Sequence, residues 1–270
     1  RRVLGAPTRS PRRAIVTGAT SGIGRAIAKA LRRRGTSVVP AARPSARLNA
    51  AACTPNDKIA CDLATAAGLD TLRAAIRGEA FDLLVLNAGV AHHNSVVDAD
   101  EGAIRQMLAL NATNTTLAAQ CFAQQCVEQS RVGHIIVVSS ISGGIPSPNE
   151  AVYSATKAYL NHFASAMRFE LRRHGVRVTV ALPGATVTEF GAAGGCANVL
   201  AFRLPRGPWQ VCGGPMTATE VGDTIVRDAL EHGDDVIVPG VGNRVMRLFG
   251  GLAPQALVLP LAHVFWSESF

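Results

Sequence analysis

The stretch Ala14-Ile15-Val16-Thr17-Gly18-Ala19-Thr20-Ser21-Gly22-Ile23-Gly24 decides the fold. A short β-branched run ends in a glycine-rich turn, and a helical pattern from Arg25 to Arg34 follows. Strand, glycine turn and helix in that order form a phosphate cradle. Glycines without Cβ let the backbone approach a pyrophosphate, and the free N–H groups and dipole of a helix N-terminus favour its negative charge. Gly18, Thr20, Ser21, Gly22, Ile23 and Gly24 are the candidate cradle residues. The spacing is G-x-x-x-G-x-G rather than G-x-G-x-x-G, and taken alone it also suits a turn that merely packs tightly.

Outward from this turn, strands and helices alternate. Ser37 to Arg43 reads as a second strand, in which Pro40 is awkward and suggests a strand end or a local irregularity. A dinucleotide site that takes NAD wants a carboxylate here for the ribose 2′-hydroxyl, but this strand ends in Ala42-Arg43. A guanidinium grips a 2′-phosphate through paired hydrogen bonds, so the expected cofactor is NADP(H), unless Arg43 is only a solvated loop residue. Lys58 to Leu63 is a third strand candidate containing Asp62, and residues 65–78 read as a helix. Phe81 to Leu86 is the continuous apolar run of a fully buried parallel strand, and it stops at Asn87-Ala88-Gly89. A long helical pattern over 100–130 carries Asn111, and His134 to Val138 delivers Ser139-Ser140 to the same edge. After a Gly/Pro loop, the helix of Tyr153 runs to about Arg173, and the strand Arg177 to Leu182 ends in Pro183-Gly184. This rhythm predicts an α/β fold with a doubly wound parallel sheet, Rossmann-like, as one domain over 14–270. Ligands of such sheets lie beyond the strand carboxyl ends, where Thr17, Arg43, Asp62 and Asn87 fall.

Tyr153 and Lys157 are four residues apart, so on a helix they lie one above the other on one face. A phenol has a pKa of about 10, and a neighbouring cation favours its ionised form and brings it towards the working range. That pairing suits proton transfer. A Tyr and a Lys at this spacing are also a common surface pair, so the surrounding pattern has to decide.

The pattern does. The Gly turn, Asp62, Asn87-Ala88-Gly89, Asn111, Ser140, Tyr153, Lys157 and Pro183-Gly184 stand in the order and spacing of one family from Thr17 to Thr188. The sequence resembles the short-chain dehydrogenase/reductase family. Leu86 stands where many relatives have a second Asn, and the stretches Pro183 to Phe190 and Val238-Pro239-Gly240 with Asn243-Arg244 look closest to bacterial-type members of uncertain substrate. The resemblance implies hydride transfer between a nicotinamide and a carbonyl or alcohol carbon. It implies Tyr153 as proton donor, Ser140 as hydrogen-bond donor to the reacting oxygen, and Lys157 as the group that lowers the Tyr153 pKa and bonds the nicotinamide ribose. Asn111 would hold a water that links Lys157 to solvent. Gly18, Gly22, Ile23 and Gly24 would line the pyrophosphate, Asp62 and Leu63 the adenine, and Asn87, Ala88 and Gly89 the adenosine ribose. Pro183, Gly184, Thr186 and Thr188 complete the cofactor set, with Thr188 at the carboxamide. An Asp at a strand end often just caps the next helix, and this reading stays open for Asp62.

The remaining composition narrows the function further. The 270 residues are 48% hydrophobic, enough for a sizeable core. Arg1, Arg2, Arg9, Arg12 and Arg13 supply five charges of the net +8, leaving about +3 elsewhere and no aromatic–basic interleaving, so no nucleic-acid partner is expected. Residues 1–13 read as a basic disordered arm, with a presequence remnant as the alternative. Six cysteines without a C-x-x-C pair suggest reduced thiols and a cytoplasmic location, with an organelle lumen or a membrane periphery as alternatives. His92-His93 reads as a loop, and no metal is expected.

Residues 190–216, with Val199, Leu200, Phe202, Leu204 and Trp209, suggest a lid over an apolar small-molecule substrate, and Arg203 and Arg206 suit an acidic group or solvent. The extension 241–270 is apolar from Leu252 to Trp266 but too short to span a bilayer. It would cover the substrate cleft, enter a subunit interface or make a peripheral membrane contact. By analogy a homodimer or homotetramer is expected. The competing class is a dinucleotide-binding regulator or scaffold with little turnover.

Overall fold

The computed structural model describes residues 11–52, 54, 57–195 and 215–265. The residues named above as lid side chains, Cys53, Cys196, Cys212, Trp266 and most of the basic arm lie outside the described residues.

The chain forms β1 (Arg13–Thr17), α1 (Gly22–Arg33), β2 (Ser37–Ala42), α2 (Ala46–Ala51), β3 (Ile59–Ala60), α3 (Ala66–Gly78) and β4 (Leu83–Leu86). It continues with α4 (Glu101–Leu108), α5 (Thr115–Glu128), β5 (Gly133–Val138), α6 (Ala151–Leu171) and β6 (Val176–Ala181). Then follow β7 (Thr186–Val187), α7 (Glu189–Ala193), β8 (Met216–Thr217), α8 (Ala218–Arg227), β9 (Val236–Ile237), α9 (Val241–Leu252) and α10 (Gln255–Phe265). Seven strands make one parallel sheet in the order β3-β2-β1-β4-β5-β6-β9, and β7 and β8 form a separate parallel pair. The order reverses beside β1, which opens a crevice at the strand carboxyl ends between β1 and β4.

Side chains alternate across each strand, so the sheet feeds two cores. Ile15, Leu84, Ile135 and Val137 pack with Leu72 of α3, Phe122 of α5 and Leu160 of α6. Ala14, Val16, Val85 and Ile136 pack on the other face with Ile27 and Leu31 of α1 and Ile225 of α8. Helix α1 meets α8 closely at Gly222, where a Cβ would stand 2.6 Å from that of Ala26.

Two expectations need adjusting. Pro40 lies inside β2, opposite Val16, rather than at its end. The Ala41 carbonyl accepts from Gly18 N on the β1 side, so by alternation the Pro40 nitrogen faces β3, whose ladder begins only at Ala41. Proline's missing donor therefore breaks no ladder hydrogen bond among the described residues. The long helix expected over 100–130 is two helices joined by a π turn, Ala109–Asn114, which contains Asn111.

Candidate active site

Two strand ends, those of β1 and β4, are tied together at the crevice. Thr17 Oγ1 donates to the Val85 carbonyl and accepts from the N–H groups of Asn87 and Ala88 at 2.9 and 3.0 Å. Asn87 Nδ2 returns to the Thr17 carbonyl at 3.0 Å. Gly18 adopts φ +66°, and a Cβ there would come 2.8 Å from Asn87 Nδ2. At Gly24 a Cβ would overlap the Gly18 carbonyl and Asn87 Nδ2. No side chain caps the first turn of α1 at Ser21. This is the geometry of an anion cradle: backbone brought close, and N–H groups left to a ligand. Thr188 approaches the same turn, 3.2 Å from a Cβ placed on Gly22, so the segment after Pro183-Gly184 closes the crevice from the other side. Thr186 turns its hydroxyl back to the Gly184 carbonyl at 2.9 Å.

Arg43 follows directly on β2, is exposed, and makes no ion pair among the described residues. Asp62 accepts from Ala64 N at 3.0 Å and so shapes the turn before α3, whose own cap is Thr65. Leu63 is buried, its carbonyl held by Asn114 Nδ2 at 2.8 Å.

Across the crevice, the expected catalytic residues Tyr153, Lys157 and Ser140 are all buried, near the start of α6 and just after β5. The Lys157 ammonium lies 5.6 Å from the centre of the Tyr153 ring and donates to the Val138 carbonyl at 3.2 Å. Burial brings its pKa down to about 8. Ser139 donates to the Lys157 carbonyl, fastening α6 to the tip of β5. Ser140 Oγ accepts from Ser142 N at 3.1 Å and faces the Pro183 carbonyl at 3.5 Å. Asn111 accepts from Val90 N at 2.9 Å and donates to the Val90 carbonyl and Thr156 Oγ1. Both of its side-chain donors are thereby used. Gly89 sits where a Cβ would meet Asn111 Oδ1 at 3.1 Å and Lys157 Nζ at 3.7 Å, so glycine turn, Asn111 and Lys157 converge.

The sequence did not announce three neighbours of this site. Phe190 of α7 stands 6.0 Å from the Tyr153 ring; the sequence marked the stretch it ends, Pro183 to Phe190, but not this contact. His93 and Glu150 form a buried pair at 4.0 Å that joins the loop after β4 to the start of the Tyr153 helix; the adjacent His92-His93 pointed only to a loop. Asn243 of α9 presses against Gly184 and donates to the Pro239 carbonyl at 2.6 Å. The Asn243-Arg244 signal flagged this position without a role.

A family profile described as short chain dehydrogenase matches residues 12–194. The chain belongs to the short-chain dehydrogenase family. These are oxidoreductases, and an uncharacterized oxidoreductase of Myxococcus xanthus is 37% identical to this member over 192 residues, 68% of this chain and 75% of its own. A short-chain dehydrogenase from Sphingobium yanoikuyae, solved in complex with NADPH, superposes with a TM-score of 0.74 at 28% identity, covering 84% of this chain and 87% of that one. A short-chain dehydrogenase from Burkholderia cenocepacia, solved in complex with NADP, gives 0.74 at 27% identity over 91% and 94%. Among the described residues of this short-chain dehydrogenase no helix is long and apolar enough to cross a membrane. Cys61, Cys121 and Cys126 are buried free thiols, and burial raises their pKa values, that of Cys61 to about 11.

Proposed function

We propose that this short-chain dehydrogenase is an NADP(H)-dependent carbonyl reductase or alcohol dehydrogenase acting on an apolar substrate. The carrying observation is the buried Lys157 ammonium beneath the Tyr153 ring, at the edge of the sheet that also holds the glycine cradle. The cradle fits a dinucleotide: Gly18 and Gly24 leave no room for a Cβ, and the α1 N-terminus is uncapped. Arg43, exposed and free of ion pairs among the described residues, suits a 2′-phosphate, and the NADPH and NADP complexes of the two superposed relatives support that choice.

The bound nicotinamide supplies or accepts the hydride. In reduction Tyr153 gives its phenolic proton to the carbonyl oxygen, and Ser140 Oγ holds that oxygen and stabilises the charge that develops on it. Lys157 favours the resulting phenolate and, with Asn111 behind it, supports return of a proton from solvent. Gly22, Ile23, Asp62, Leu63, Asn87, Gly89 and Thr188 line the cofactor in this reading. Phe190 beside Tyr153 supports an apolar substrate.

The test is direct. Tyr153→Phe is expected to lose a factor of about 10²–10⁴ in kcat for NADPH-driven ketone reduction while NADPH still binds. Arg43→Ala should weaken NADPH and spare NADH. Undiminished turnover in the first variant refutes the proposed acid, and equal loss of both cofactors in the second refutes the phosphate contact.

A further inference from the structure

Helix α9 is built inside out. It buries Gly242 and Asn243 and sets Gly250 against Ile145, in the loop that leads to Tyr153. Its aliphatic side chains face solvent instead. Val241, Val245, Leu248 and Leu252 recur at intervals of four, three and four residues, one stripe along the helix, with Leu248 64% and Leu252 77% exposed. Helix α10 is apolar nearly all round, its only polar side chains being Gln255 and His263 among those described. It buries Val258 and Ala262 and leaves Leu257 59% exposed, with Leu261 on the same face one turn on. A soluble surface does not normally carry so continuous an apolar face, and such faces mark a contact with something apolar.

Charge selects the contact. From Val236 to Phe265 the chain has no Asp or Glu, whereas Arg244 and Arg247 are both exposed on α9. Asp228 and Asp234 line the groove beside Arg247; Asp228 is paired with Arg227 at 2.8 Å, which leaves exposed Asp234 at the rim, against two arginines on the helix itself. A second copy, docked through a twofold axis, would set two arginine-bearing helices that carry no acid of their own against their duplicates. An anionic lipid surface offers both an apolar interior and counter-charges. At 1.5 Å per residue the two helices are about 18 and 16 Å long, suited to lying in the interface and too short to cross about 30 Å of hydrocarbon.

We propose that α9 and α10 form a docking face for an anionic phospholipid surface, with the mouth of the active site at its edge. The exposed leucines and valines enter the acyl boundary, and Arg247 stays at headgroup level.

The full chain is tested by co-sedimentation with vesicles of phosphatidylcholine, and of phosphatidylcholine mixed with phosphatidylglycerol. Expected are binding to the mixed vesicles, weaker binding to the neutral ones, and loss of binding as salt is raised. Leu248→Asp combined with Leu257→Asp should lower binding at least tenfold with an unchanged melting temperature, since both residues are exposed. Arg247→Glu should abolish the preference for the anionic lipid. No vesicle binding, equal binding to both compositions, or a double variant that still binds overturns the proposal. So does light scattering in which the double variant splits an oligomer, because that assigns the face to a second copy. None of these readouts depends on turnover.

Discussion

Burying the Lys157 ammonium takes it out of water, and that desolvation lowers its pKa from 10.5 to about 8. Between those values the unfolded chain holds a proton that the folded chain has released. The burial penalty is therefore full below about pH 8 and fades as the pH rises to about 10.5. At about 1.4 kcal/mol per pKa unit, Lys157→Met should be more stable than wild type by up to about 3 kcal/mol at neutral pH, with a smaller advantage near pH 10. Urea unfolding of both proteins at the two pH values checks this, and an advantage independent of pH would contradict it. The same titration bears on turnover. Loss of the ammonium removes the charge that supports Tyr153, so kcat/KM for reduction should fall as the pH rises through about 8. A flat profile there would separate Lys157 from the proton step.

The turn between β3 and α3 shows what an element needs that side-chain patterns do not carry. At Gly68 a Cβ would overlap the Asp62 carbonyl, which is backbone and cannot swing away. Gly68→Ala should therefore cost about 1–3 kcal/mol and lower the melting temperature, whereas Gly78→Ala, with open space around it, should not. Equal effects would show that the turn yields. Gly68 drew no notice in the sequence, because close backbone approach leaves no periodic trace. The parts that were legible rest on local chemistry: the glycine turn, the buried run into Asn87, and Tyr153 one helical turn before Lys157. The parts that were not depend on contacts distant in the chain. Strand β3 is only Ile59–Ala60, paired with Ala41 and Ala42 of β2, a length that depends on the distant partner strand. The π turn at Asn111 is invisible to a 3.6-residue period, and Glu150 meets His93 only once the β4 loop folds over α6.

Taken whole, the molecule also leaves aromatic side chains uncovered on α6, far along the chain from α9 and α10. On α6, Tyr159 is 45% and Phe169 81% exposed, and Phe163 between them stacks on Tyr159 with ring centres 6.0 Å apart. Thr116 of α5 shares a hydrogen bond with the Tyr159 hydroxyl at 3.0 Å, so the two long helices present one joint face. Around the end of α6 Glu170 is exposed and Arg168 is paired with Asp235 at 3.7 Å, so no charge of a single sign opposes a twofold contact of this helix with its duplicate. The expected state is a homodimer or homotetramer joined through α5 and α6. Light scattering should give a multiple of 28.2 kDa for the wild type and 28.2 kDa for Phe169→Asp. Helix α6 carries Tyr153 at its start and Phe169 near its end, so the partner's helix would also brace the segment that holds the catalytic phenol. The monomeric variant should then keep NADPH binding, which the proposed function assigns to the ends of β1, β2 and β4, and lose part of its turnover. A wild type that already runs as a monomer, or a Phe169→Asp protein that stays assembled, refutes this face as the joint.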